Sequence, residues 1–353
     1  KPEVNFNELS SEEIFNMQGN NYDNIFKNEN EYFKVEEVII KSNIESISDL
    51  IEIIDKYPLL SNVKYNINIE KIHSIRKELI ELNSMIGLEK LKKTITYQLL
   101  YYLQYEDLKI KTNDFLHTVI YGPPGTGKTE IAKIIGNMFS KIGILKSGVF
   151  KKVTRGDLVA EYLGQTAIKT RKIVNECIGG VLFIDEAYSL GNTNKSEDIY
   201  SKECIDTLCE MLSDLKNEIM VIIAGYKKEL NDCFFSVNQG LESRFNWRFT
   251  IDEYTSDQLA KILESKIIEI NWTHNVVNLI DWFTKKKDEF PYYGRDIENL
   301  LAKMKISHSK RVFCLSKDEK TILTTTDLDN GFKLYKKNKK ETDKLPFLTN
   351  LYV

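Results

Sequence analysis

The chain has 353 residues, 42% of them hydrophobic, which allows two or three domains and a sizeable core. Its formal net charge is −3 from 49 basic and 52 acidic residues, a balance that calls for neither nucleic acid nor an anionic membrane. No apolar run approaches the roughly 18 residues of a membrane span and no secretory or transit signal opens the sequence, so a cytoplasmic location is expected.

Residues 1–68 are polar and Asn-rich and read as a mostly helical N-terminal extension that serves recognition or docking. Within it Ile47, Leu50, Ile51 and Ile54 fall at i, i+3, i+4 and i+7, Ser46 and Asp49 supply a capping box, and Pro58 follows the end. A second helix carries Ile72, Ile75, Leu79 and Leu82 on one face and leads to Met85-Ile86-Gly87-Leu88. From Ser84 to Ile251 strands and helices alternate, with strands expected at 117–121, 149–153, 180–184, 219–224 and 247–251. That alternation predicts an α/β fold around a parallel sheet covered on both faces, spanning 69–251 with its leading helices.

From Asp252 to about 335 the strands stop and helical periods such as Leu259, Ile262, Leu263 and Ile267 predict a small α-helical domain, 252–335. The tail, 336–353, ends in the apolar groups Leu345-Pro346-Phe347-Leu348 and Leu351-Tyr352-Val353. Lys333, Lys336, Lys337, Lys339 and Lys340 around its start read as a solvated face. The five cysteines show no Cys-x-x-Cys spacing and read as reduced thiols, and the four histidines lack ligand spacing.

Two motifs carry chemistry. Gly122-Pro123-Pro124-Gly125-Thr126-Gly127-Lys128-Thr129 lies between the apolar run Thr118–Tyr121 and a helical pattern that begins at Glu130. This is a phosphate-binding loop: backbone N–H groups curl around phosphates where a Cβ would obstruct them, and the following helix points its positive end at the same anion. Lys128 reaches the β- and γ-phosphates in this reading, and the Thr129 hydroxyl helps hold Mg²⁺. Some sixty residues on, Val181-Leu182-Phe183-Ile184 ends in Asp185-Glu186, a Walker B pattern. There Asp185 is expected at the metal and Glu186 at the water that attacks the γ-phosphate.

The stretch 84–334 resembles AAA+ ATPases, and within them the red-type Rubisco activases and the bacterial stage V sporulation protein K group. The resemblance rests on the string Arg155-Gly156-Asp157-Leu158-Val159-Ala160-Glu161-Tyr162-Leu163-Gly164-Gln165-Thr166-Ala167 with Lys169-Thr170, on Phe183 to Tyr188, and on Ala224-Gly225-Tyr226. The join from Tyr65-Asn66-Ile67-Asn68 into Met85-Ile86-Gly87 is also similar to AAA+ proteins of giant DNA viruses. A viral origin would place the chain in the host cytoplasm or the virion.

The resemblance implies a P-loop core with a helical lid, ATP and Mg²⁺ as ligands, and a homo-oligomeric ring, hexameric in most of the family, acting on a protein client. It assigns Ile86, Gly87 and Leu88 to the adenine, and Pro123, Pro124, Gly125, Thr126, Gly127, Lys128, Thr129 and Glu130 to the nucleotide. Tyr162 and Leu163 then face the central pore, Arg244 is the arginine finger, and Arg295 is the lid's sensor. Many relatives place Asn or Thr at the end of the fourth strand to hold the attacking water. Here that place falls to Tyr226. A nucleic-acid motor or loader using 333–340, and an assembly protein that ATP only locks, are the alternatives.

Overall fold

A computed structural model of the chain describes residues 35–108, 114–162, 164–191 and 198–343. They fall into two compact units. The smaller comprises Lys1–Ser42 and Pro58–Ile67. Its described part holds β1 (Glu36–Val38) and β2 (Val63–Tyr65), paired in parallel with Glu36 opposite Val63. The Asn66 side chain clips this pair, accepting from Ile40 N at 2.8 Å and donating to Ile40 O at 3.3 Å. The sequence did not announce these strands, because three residues are too few for a period-2 pattern to register.

The larger unit comprises Asn43–Tyr57 and Asn68–Val353. Its first helix, α1 (Ile47–Lys56), begins at the expected capping box, in which Ser46 N donates to Asp49 Oδ2 at 2.8 Å. Backbone N–H groups of Glu45 and Ser46 hold the Asp49 carboxyl below its usual range. The buried face is Ile47, Leu50, Ile53 and Ile54, so Ile53 takes the place expected for Ile51. The second expected helix is two, α2 (Ile69–Ser74) and α3 (Arg76–Ser84). They meet at Ile75 (φ −100°, ψ 10°), and all four apolar residues of the expected face are buried across the break. An ion pair of 2.9 Å from Arg76 to Asp55 ties α3 to α1.

After α4 (Glu89–Asp107) comes a five-stranded parallel sheet of β3 (Thr118–Tyr121), β4 (Phe150–Val153), β5 (Val181–Ile184), β6 (Met220–Gly225) and β7 (Trp247–Thr250), in the order β4-β5-β6-β3-β7. All five expected strands are present within a residue or two of their predicted ends. The three central strands are buried at every position, as a sheet covered on both faces requires. Val119, Leu182, Ile184, Val221 and Ile223 share one core cluster with Leu208 and Leu212 of α7 (Ile199–Asp214), which packs beside α6 (Thr166–Asn175). The helix α5 (Lys128–Lys141), which follows the phosphate loop, takes the other face.

The C-terminal part of the unit packs α8 (Ser256–Glu269), α9 (Leu279–Thr284), α10 (Gly294–Val312) and α11 (Thr325–Asp343). It is not free of strands as expected: β8 (Thr273–Asn275) and β9 (Ile322–Thr324) pair in parallel. The boundary expected between 335 and 336 falls inside α11, because Tyr335 and Lys336 pack on the 287–289 turn. Tyr335 Oη donates to the Glu289 carbonyl at 3.0 Å, and Lys339 Nζ donates to the same oxygen at 2.9 Å.

Candidate functional site

The strand–loop–helix arrangement puts the glycine-rich loop at the carboxyl end of β3, in the middle of the sheet. Gly122 N donates to the Gly225 carbonyl of β6 at 3.1 Å, and Thr126 Oγ1 to the Pro123 carbonyl at 2.8 Å, so the loop is tied at both ends. Gly125 (φ 76°) and Gly127 (φ 82°) take left-handed backbone that a Cβ would strain. At Gly125 a Cβ would also overlap the Tyr292 carbonyl. The curl therefore needs glycine for two reasons, and it leaves N–H groups facing a concave surface at the start of α5.

Lys128 Nζ donates to the carbonyls of Gly122 (3.0 Å) and Pro123 (2.7 Å). Burial lowers its pKa, and the nearby carboxylates of Asp185 and Glu186 oppose that shift. Asp185 stands just past the end of β5, its N–H bonded to Val153 O at 3.1 Å. Glu186 follows at φ 50°, a left-handed conformation rare for a side-chain-bearing residue. One cavity of about 460 Å³ is lined by Pro124, Gly125, Lys128, Thr129, Asp185, Glu186, Tyr226 and Arg295 among others. Residues expected at the nucleotide, its metal and the attacking water thus meet there from separate elements.

Arg295 sits in the first turn of α10. The acids that follow it on the helix are engaged elsewhere: Asp296 accepts from Tyr292 N at 2.7 Å, and Glu298 pairs with Lys266 at 3.2 Å. Tyr226 lies 6.5 Å from Tyr188, ring to ring, and burial raises the pKa of both phenols.

A second cavity of about 460 Å³ adjoins on the side of the lid and is lined by Met85, Ile86, Thr126, Glu130, Tyr254 and Ile262 among others. Of the three residues expected to sandwich the base, Ile86 lines it; Gly87 and Leu88 do not. Leu88 is buried, and Gly87 takes left-handed backbone (φ 69°) that favours glycine, with the Gln258 side-chain amide of α8 packed against it. Met85, Tyr254 and Ile262 complete the apolar walls, and no local pattern marks the last two, which come from a distant segment. Lys92, nearly buried, braces the segment that carries Met85 and Ile86 by donating to the carbonyls of Asn83 (3.1 Å) and Met85 (2.7 Å).

Arg244 does not join these residues. Its guanidinium bonds to Ser213 Oγ (2.8 Å from Nε, 2.6 Å from a terminal nitrogen) and to the Gly240 carbonyl. Tyr162, 66% exposed, tips a loop whose other expected residue, Leu163, lies outside the described residues. The signature string around it is anchoring chemistry. Lys169 Nζ donates to the carbonyls of Gly156 (2.7 Å) and Val159 (2.8 Å), and Thr170 Oγ1 to Leu158 O (3.1 Å). Arg155 reaches the Ser189 carbonyl at 2.9 Å, three residues past Glu186, and pairs with Asp198 at the start of α7.

The fit to a nucleoside triphosphate and a divalent ion can be judged on these atoms. A glycine cradle, a lysine and an apolar slot suit a phosphorylated base, and Thr129 Oγ1 and Asp185 Oδ2, both hard oxygens, face one another across a single ammonium group, Lys152 Nζ (3.5 and 2.6 Å).

Comparison with known proteins agrees with this geometry. The family model described as "ATPase family associated with various cellular activities (AAA)" matches residues 118–252. A putative CfxQ-like protein of Acanthamoeba polyphaga mimivirus is 40% identical over 287 residues, covering 80% of this chain and 70% of that one. Stage V sporulation protein K of Bacillus subtilis is 39% identical over 206 residues, 57% of this chain and 63% of that protein. The solved FIGL-1 AAA domain in complex with ADP shares the fold, with a TM-score of 0.53 at 19% identity over 71% of this chain and 83% of that structure. The chain belongs to the AAA family of ATPases, in the group of CfxQ-like proteins and stage V sporulation protein K.

Proposed function

We propose that the chain is a Mg-ATP-dependent AAA+ motor that works as a homo-oligomeric ring, hydrolyses ATP between subunits and threads a protein client through its pore. The observation that carries this reading is the placement of an exposed aromatic, Tyr162, seven residues after Arg155, whose guanidinium bonds the turn that follows Glu186. ATP with Mg²⁺ supplies the transferable γ-phosphoryl group and its neutralising cation. In that chemistry Lys128 and the loop N–H groups bind the phosphates, Thr129 and Asp185 hold the metal, and Glu186 accepts a proton from the attacking water. Arg295 and Tyr226 line the same cavity, where they would contact the terminal phosphate. Arg244, tethered outside the cavity in its own subunit, swings to the nucleotide of a neighbour.

Tyr162 offers a rigid amphipathic contact of low entropic cost to an extended peptide. Glu186→Gln should bind ATP, hydrolyse it poorly and retain a client that mass spectrometry of co-purified proteins names. Tyr162→Ala should keep basal ATPase and ring size and lose client remodelling. A Tyr162→Ala ring that remodels that client at the parental rate would falsify the threading role.

A further inference from the structure

Lys152 belongs to no motif in the sequence, and its position is set by the sheet. In edge strand β4, Lys151 and Lys152 point to opposite faces. Lys151 pairs with Glu176 just after α6. Lys152 shares its face with Phe150, whose ring approaches Gly136 of α5, and so lies one pleat nearer the phosphate loop. Its ammonium stands 2.6 Å from Asp185 Oδ2 and 3.5 Å from Thr129 Oγ1 and lines the cavity with Lys128 and Glu186.

We infer that Lys152 is a built-in counter-cation of the nucleotide site: it shares Asp185 and Thr129 with the divalent ion, supports nucleotide binding when that ion is scarce, and raises the divalent concentration the site requires. The inference rests on the reading that Thr129 and Asp185 hold the metal. Two carboxylates, Asp185 and Glu186, line the cavity meant for phosphates, and like charges there oppose an incoming polyanion. A cation paired with Asp185 relieves that opposition. An ammonium on a four-carbon stem does so without leaving the protein, and it must yield the same oxygens when a divalent ion enters. The two roles have opposite signs, which makes the inference testable. The pair is partly open to solvent, 45% and 22% exposed at the two side chains, so screening keeps the effect moderate.

The test is a titration of the full chain with a fluorescent ADP analogue in EDTA and in excess Mg²⁺, together with Mn²⁺ binding followed by electron paramagnetic resonance in the presence of ADP. Lys152→Met keeps the apolar stem and removes the charge. It should weaken nucleotide binding in EDTA three- to tenfold, leave binding in Mg²⁺ within twofold, and lower the half-saturating Mn²⁺ concentration three- to tenfold. Lys151→Met, on the other face, should change none of these. Asp185→Asn should remove most of the difference between EDTA and Mg²⁺. A Lys152→Met protein with parental values in all three measurements, beside an Asp185→Asn protein that has lost its divalent response, overturns the role of Lys152 and leaves the metal reading standing. An Asp185→Asn protein with an intact divalent response overturns both.

Discussion

Gly294→Ala tests whether the lid is seated directly on the phosphate loop. The Gly294 N–H donates to the Gly125 carbonyl at 3.1 Å, and a Cβ built on Gly294 would lie 2.7 Å from that same oxygen. Ordinary contact begins near 3.4 Å, so the start of α10 must retreat by about 0.7 Å, enough to carry the hydrogen bond past useful geometry if the movement runs along it. Losing the bond costs about 0.5–1.5 kcal/mol and the forced displacement about 1–3 kcal/mol. Replacing a helical glycine by alanine offsets this by only about 0.5–1 kcal/mol, and less in the first turn. The net expectation is a loss of about 0.5–4 kcal/mol with weaker ADP binding, since Arg295 rides on the same turn. Thermal melting and a fluorescent-ADP titration read both. Gly156→Ala, where nothing lies within 4 Å of the added Cβ, is the control and should be neutral or slightly stabilising. If Gly294→Ala melts and binds like the parent, the direct seat is wrong.

His117 is buried where β3 begins, its Nδ1 accepting from Val221 N at 3.2 Å, and burial pushes its pKa down to about 4. A base whose pKa falls on folding stays neutral in the native state, so its contribution to stability is complete above pH ~6.5 and is lost as pH drops from there toward ~4. Urea unfolding should show about 2 kcal/mol lost between neutrality and pH 5 on this account, and His117→Asn, which can keep an acceptor for Val221 N, should flatten that slope; an unchanged slope refutes the assignment. Arg244→Ala should bind ATP, turn over at least a hundredfold more slowly, and regain part of the activity when mixed with Lys128→Ala subunits, because an intact pocket then meets an intact finger. Mixed oligomers that form and stay inactive count against a finger acting between subunits.

The sequence by itself determined what depends on neighbours along the chain. The phosphate loop, its glycines and the helix after it are set within a dozen residues, and the capping box at Ser46 and Asp49 is set within four. The buried strands are legible because a sheet covered on both faces needs unbroken apolar runs. Where the signal is shorter than its period, reading fails: β1, β2, β8 and β9 have three residues each, and the break at Ile75 leaves the apolar face intact on both sides. Only the tertiary structure decided the rest. Tyr254 and Ile262 reach the cavity beside Met85 and Ile86 from more than a hundred residues beyond the phosphate loop, and Gly87, at φ 69°, packs against Gln258. Arg244 is held by Ser213, a partner no motif contains. Lys151 and Lys152 are the same residue twice in sequence, and what separates a surface ion pair from a cation at the nucleotide site is which face of the sheet meets α5. That choice is made by the pairing of distant strands, so no local pattern can carry it.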